Sequence, residues 1–186
     1  VYHKGMRFAA PVRKALATST IFNILGPLTN PAHVNYELLG CYDVNLLETL
    51  AKALKLTGVQ RGMVINGNGM DEISIFGSTK VSELLADGSI KNYELTNKDF
   101  GITGNYTQND LLGGTPEENA ATARLILSGK GNDAHNAVIS ANVSAMLHLA
   151  GKTESFKDGF EIAMDAVKSG RGIEKLDAIS KITSES

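Results

Sequence analysis

The strongest constraint on the fold is a change of hydrophobic period between residues 34 and 67. "VNYELLGCY" (34–42) alternates Val34, Tyr36 and Leu38 with Asn35 and Glu37, the two-residue period of a strand with one face turned inward. Over residues 44–56 the period lengthens, and Leu47, Leu50, Ala51 and Leu54 fall on one helical face. "RGMVING" (61–67) is then a short apolar run ending in Asn and Gly, which reads as a buried strand. Strand, helix and strand in that order predict a parallel pair with a right-handed crossover.

The rest of the chain extends this unit without dividing it. "EISIF" (72–76) reads as a further strand, and "KVSELL" and "SIKNYEL" flank Ala86-Asp87-Gly88 as a hairpin would. Thr115-Pro116-Glu117-Glu118 is a capping box with proline at the first helical position. Residues 133–150 form an Ala-rich helix, with Asn136, Ser140, Ser144 and His148 as a small-polar row at four-residue spacing. Ser155 caps another helix, which Gly170 and Gly172 separate from a last one over roughly 173–182. Near the start, Pro11 opens a short helix with Val12 and Leu16 on one side, and Gly26-Pro27 stops the apolar "TIFNIL". One α/β domain over residues 1–186 is expected, built on a mostly parallel mixed sheet flanked by helices.

Composition narrows the function classes. The 186 residues carry 18 basic and 20 acidic side chains, a formal charge of -2, so there is no basic field for nucleic acid and no cationic face for a membrane. Cys41 is the single cysteine, which excludes an intrachain disulfide and fits a reducing cytosol. No apolar run approaches membrane-spanning length. The first residues, "VYHKGMR", read as the middle of a protein, and a fragment of something longer is expected.

Three places could carry chemistry. "NGNGMDE" (66–72) follows the buried strand, and ligands of open α/β sheets favour the carboxyl ends of strands. Gly67 and Gly69 allow close backbone approach, and the adjacent acids Asp71 and Glu72 suit Mg²⁺, a hard cation that keeps waters and substrate phosphates in its shell. Turn chemistry alone also accounts for every residue of this loop. Arg13 is either a solvated charge or a planar fork for a carboxylate, and His3 is ambiguous in the same way. "GPLTNP" (26–31), with a proline at each end of "PLTNP", predicts extended or turn conformations at Gly26 and Asn30. It is either a rigid wall for a flat apolar ligand or a plain connection. No Cys/His metal spacing, P-loop or nucleophile elbow is present, so no residue is singled out as catalytic, and His135 and His148 read as structural.

Together, "APVRKAL", "STIFNILGPLTNP", "LLGCYD", "GMDEIS", "GGTPEENA" and "NAVISANVSAMLHLAGK" resemble the anthranilate phosphoribosyltransferase family over nearly the whole chain. The resemblance implies the C-terminal α/β domain that this family shares with nucleoside phosphorylases. It implies phosphoribosyl transfer from 5-phosphoribosyl diphosphate to anthranilate, a step of tryptophan biosynthesis in the cytoplasm, with Mg²⁺ as cofactor. It assigns Asp71 and Glu72 to the metal, Arg13 to the anthranilate carboxylate, His3 to the route of anthranilate, and Gly26 and Pro27 to the wall of its ring pocket. It further implies small-molecule partners, no nucleic acid and no membrane, and a homodimer made through an N-terminal helical domain. That domain and its Gly-rich diphosphate loop have no counterpart in these 186 residues, so the chain alone is expected to be inactive. His3-Lys4-Gly5 stands where the family usually has His-Pro-Ala, and Ser19-Thr20 where it often has Arg-Thr. Two other readings come from the same fold: a nucleic-acid-binding relative without enzymatic activity, and a pyrimidine nucleoside phosphorylase.

Overall fold

The structure is a computed structural model, which describes residues 6–184 apart from Ser19 and Ile21. Two helices, α1 (Met6–Leu16) and α2 (Phe22–Leu28), precede β1 (Tyr36–Gly40). A 3₁₀ turn at Val44–Leu46 leads into α3 (Leu47–Leu56), followed by β2 (Arg61–Gly67), β3 (Thr79–Leu84) and β4 (Ile90–Leu95). The helical half contains α4 (Asn97–Phe100), α5 (Pro116–Leu127), α6 (Asp133–Leu149), α7 (Phe156–Lys168) and α8 (Gly172–Ser184).

The sheet runs in the order β1-β2-β3-β4. It is mixed and flanked by helices, as expected. Its balance differs from the expectation of a mostly parallel sheet: β1 pairs with β2 in parallel, while β2 with β3 and β3 with β4 are antiparallel. The reason is connection length. Residues 41–60 hold a helix and allow a crossover, whereas residues 68–78 hold no helix to carry one and the five residues 85–89 allow only a hairpin.

Side chains alternate strictly across the sheet. On one face Met63, Ile65, Val81 and Leu95 pack with Ala134, Ala137, Ala141, Ala145 and Leu149 of α6. On the other, Leu39, Val64 and Leu84 pack with Leu47, Leu50, Ala51 and Leu54 of α3. The central strand is thus buried on both sides, which is why its sequence is a continuous apolar run. β1 departs from the inward face predicted for it. Leu38 and Leu39 go to opposite layers, and Tyr36 is exposed.

The row of small polar residues on α6 meets α7. Asn136, Ser140 and Ser144 are buried, and the Ser144 hydroxyl donates to the Phe156 carbonyl at 2.6 Å. The capping box at Thr115 and the Ser155 cap are both formed. His148, at the end of α6, lies over the Phe156 ring and 3.7 Å from the carboxylate of Glu83. That buried carboxylate also accepts from Tyr93 Oη at 2.8 Å and from Arg61 at 3.3 Å. Burial alone would raise its pKa, but His148 beside it and the hydrogen bonds from Tyr93 and Arg61 outweigh it and hold the group ionised below the usual range. The expectation of a satisfied histidine is not met at Nδ1, which is buried without a hydrogen-bond partner.

Three local expectations are corrected. α1 begins at Met6, so Pro11 lies inside it and not in its first turn; Phe8, Val12 and Leu16 continue one stripe through the proline at the expense of a single i→i−4 bond. α2 runs through Gly26-Pro27 to Leu28, making Gly26 helical. The steric bar before proline acts partly through Cβ, which glycine lacks. The helix ends after Leu28, where the Thr29 hydroxyl and N–H bond back to Leu25 and Gly26. Lastly, residues 72–76 are not a strand. Ile73, Ser74 and Ile75 are buried, but side chains satisfy their backbone. Asn142 accepts from Ile73 N, Thr79 from Ser74 N, and Asn97 donates to Ile75 O.

Candidate functional site

The carboxyl end of β2 closes in a tight turn. Gly67 and Met70 exchange both backbone hydrogen bonds, at 2.9 and 3.1 Å, and Asn68 and Gly69 between them have φ of 55° and 90°. Positive φ at both central positions is the type I′ geometry for which Asn-Gly is the preferred pair. The turn reverses the chain so that residues 71–74 run back over the strand ends.

That return path explains two glycines. A Cβ on Gly40, the last residue of β1, would overlap the Asp71 carbonyl and lie 2.6 Å from its carbon. A Cβ on Gly67 would overlap the Glu72 carbonyl and lie 2.6 Å from Ser74 N. The backbone of the acidic pair is therefore seated directly on the ends of the parallel strands β1 and β2. Gly67 serves this packing within the protein, whereas the sequence suggested close approach to a ligand. Gly40, Asn66 and Asn142 did not stand out in the sequence as parts of the site. A lone glycine in a strand, the mark of close backbone approach, was the available signal for Gly40.

Two asparagines fix the segment from either end. Asn66 is 8% exposed; its amide donates to the carbonyls of Cys41 at 2.8 Å and Tyr42 at 3.2 Å and accepts from Gly69 N at 3.1 Å. Asn142 of α6 accepts from Ile73 N at 3.3 Å and donates to Val138 O at 2.8 Å. Between these anchors Asp71 and Glu72 remain exposed. Protein packed around the Glu72 carboxyl, and next the charge of Asp71, push its pKa up. Two carboxylates whose joint ionisation is disfavoured form a donor set that a divalent cation relieves. Among the described residues no group of three or more His, Cys, Asp or Glu side chains could hold a metal. The pair alone offers two ligands, and Mg²⁺ commonly takes one or two carboxylates and completes its shell with waters and phosphates. The residues fit that ion.

Arg13 is half-buried in the last turn of α1 beside Lys14, where cations complement the helix dipole. Gly26 and Pro27 are exposed, and a Cβ on Gly26 would meet open space. The residues after them, Leu28 to Pro31, line a hollow of about 390 Å³ together with His33 and Glu37. It opens at the start of β1, the opposite end of that strand from Gly40 and Asp71. His3 lies outside the described residues.

The sequence matches the glycosyl transferase family, a/b domain, over residues 1–173. It is 44% identical over 182 residues to the anthranilate phosphoribosyltransferase of Tolumonas auensis, covering 98% of this chain and 54% of that one. It is 46% identical over 180 residues to that of Psychromonas ingrahamii, covering 97% and 52%. Among solved structures, anthranilate phosphoribosyltransferase from Thermus thermophilus superposes with a TM-score of 0.83 at 37% identity, covering 95% of this chain and 51% of that one. A serine-to-alanine variant from Saccharomyces cerevisiae with Mg bound gives 0.81 at 31%, covering 94% and 51%. The chain spans about half the length of the curated relatives it matches.

Proposed function

The chain belongs to the glycosyl transferase family through its a/b domain, and from that premise we propose that its protein transfers a phosphoribosyl group from 5-phosphoribosyl diphosphate to the amine of anthranilate. The bond from the anomeric carbon to the diphosphate oxygen breaks, the nitrogen–carbon bond forms, and the amine gives up a proton. The observation that carries this reading is the exposed Asp71–Glu72 pair seated on the carboxyl ends of β1 and β2, where ligands of open α/β sheets collect. Relatives named for this activity match nearly the whole chain, and one of them holds Mg.

In this reading Asp71 and Glu72 would hold Mg²⁺, which when bound would supply positive charge to a diphosphate leaving group. Arg13 clamps the anthranilate carboxylate with its planar fork, Gly26 and Pro27 wall the ring, and His3 lines its approach. The proposal includes a cytoplasmic enzyme of tryptophan biosynthesis in which residues 1–186 are the α/β domain. A separate helical domain supplies the diphosphate loop and the homodimer contact.

The test is steady-state kinetics of a protein of the relatives' length containing this chain, with both substrates and Mg²⁺ varied. Arg13→Ala is expected to raise KM for anthranilate chiefly. Asp71→Ala with Glu72→Ala is expected to damage use of the phosphoribosyl donor. Exchanged phenotypes, or no transfer by the unaltered protein, would refute the assignment.

A further inference from the structure

We propose that Asn66 and Asn142 are positioning residues for the acidic pair, a two-ended clamp that fixes the backbone carrying Asp71 and Glu72; this rests on the metal role assigned to the pair above. Both acids lie in a stretch without ladder hydrogen bonds, so strand pairing does not set their separation. Upstream, the Asn66 amide spans three backbone groups from two segments: the carbonyls of Cys41 and Tyr42 beyond β1, and the N–H of Gly69 inside the turn. Downstream, Asn142 Oδ1 receives the N–H of Ile73, the residue following Glu72. Its own Nδ2 is held by Val138 O within α6, which aims the acceptor at the loop. The first anchor thus grips the turn that delivers Asp71, and the second adjoins Glu72. Seating on Gly40 and Gly67 sets the height of the pair over the strands, and the two amides prevent it from sliding along them.

A carboxamide is the side chain this geometry requires at residue 66. It must donate twice to carbonyl oxygens and accept once from an N–H, which no carboxylate can do. Supporting groups of this kind act on a metal site through its ligands, and their loss typically lowers metal affinity about 10- to 100-fold.

The test uses a protein of the relatives' length containing this chain, with inorganic diphosphate present to complete the ion's shell, and Mn²⁺, a paramagnetic cation that takes the same oxygen donors as Mg²⁺. Broadening of the backbone amide signals of residues 69–73 during a Mn²⁺ titration gives the affinity, and hydrogen exchange at Gly69 and Ile73 reports the clamp without metal. Asn66→Ala and Asn142→Ala are expected to weaken Mn²⁺ affinity about tenfold and to speed exchange at Gly69 and Ile73 respectively. Leu54→Ala, in the buried core on the far face, is expected to lower stability with Mn²⁺ affinity unchanged. If Asn66→Ala fails to fold, Asn142→Ala decides alone. Unchanged affinity in the folded asparagine variants, or an equal loss in Leu54→Ala, overturns the proposal while leaving the metal role of the pair intact. No broadening at residues 69–73 in the unaltered protein with diphosphate present overturns the metal role and the proposal together.

Discussion

Replacing Gly40 by alanine tests how the acidic pair is seated. The new methyl would overlap the Asp71 carbonyl oxygen and lie 2.6 Å from the Asp71 carbonyl carbon and 2.8 Å from its Cβ. Comfortable carbon–carbon contact begins at ~3.5 Å, and the overlapping oxygen is nearer still, so the segment at Asp71 must lift by more than about 1 Å. The neighbours in conflict are backbone, not the end of a flexible side chain. On the other side β1 is held in five-residue register with β2 and cannot yield. Overpacking of this kind costs about 1–3 kcal/mol, read as a lower urea midpoint with unchanged slope. A misplacement of about 1 Å in a reacting assembly can cost about a hundredfold in rate. Gly40→Ala is therefore expected to retain the circular dichroism of the fold, lose about 1–3 kcal/mol, and lose far more turnover than that stability change explains. A Gly40→Ala protein with native midpoint and native metal-dependent turnover would refute the seating.

Other perturbations follow from the same geometry. Glu83→Ala removes the shared acceptor of Arg61 and Tyr93 and the carboxylate beside His148; breaking a buried charge partnership of this kind costs about 3–5 kcal/mol, measurable by denaturant unfolding. Its native ionisation also makes stability pH-dependent: a carboxyl held below its usual pKa contributes above the unfolded value, and that contribution is lost as pH falls through the folded one. Glu37 behaves oppositely. Burial raises its pKa, so its ionisation opposes folding as pH rises through the folded value. Glu37→Gln should raise the melting temperature at about pH 7 and make no difference well below about pH 4, where the carboxyl is protonated in both states. Chelation of divalent ions from the whole protein should abolish transfer, with Mg²⁺ restoring it.

The parallel unit at the centre was legible because α3 carries a helix's period and β2, covered on both sides, a continuous apolar run; in β1 the alternation marked a strand but not its burial, since Leu38 and Leu39 enter opposite layers and Tyr36 is exposed. The capping box at Thr115 and the Ser155 cap were legible because they are local hydrogen-bond patterns that need no tertiary partner. The segment 72–76 was not. Its apolar composition is that of a strand, and only Asn142, Thr79 and Asn97, contributed from elsewhere in the chain, make an irregular buried path satisfiable. The same holds for the site. Asp71 and Glu72 stood out as adjacent acids after a strand. Gly40 and Asn66 act through contacts between β1 and the loop after β2, and no short window of sequence contains both partners. At Gly26-Pro27 the local rule for proline predicted a break, and a helix about to end absorbed it.

The proposed roles require the acidic pair and the Arg13 guanidinium to serve one cavity, on the metal side and the anthranilate side of the transferred sugar. Crystals of the whole protein with anthranilate, a non-reactive diphosphate donor analogue and Mn²⁺ address this directly. Anomalous density for Mn²⁺ beside Asp71 and Glu72, with the anthranilate carboxylate on Arg13 across the same hollow, is the expected result. Mn²⁺ held by other side chains, or Arg13 turned to a surface remote from the bound donor, would contradict it.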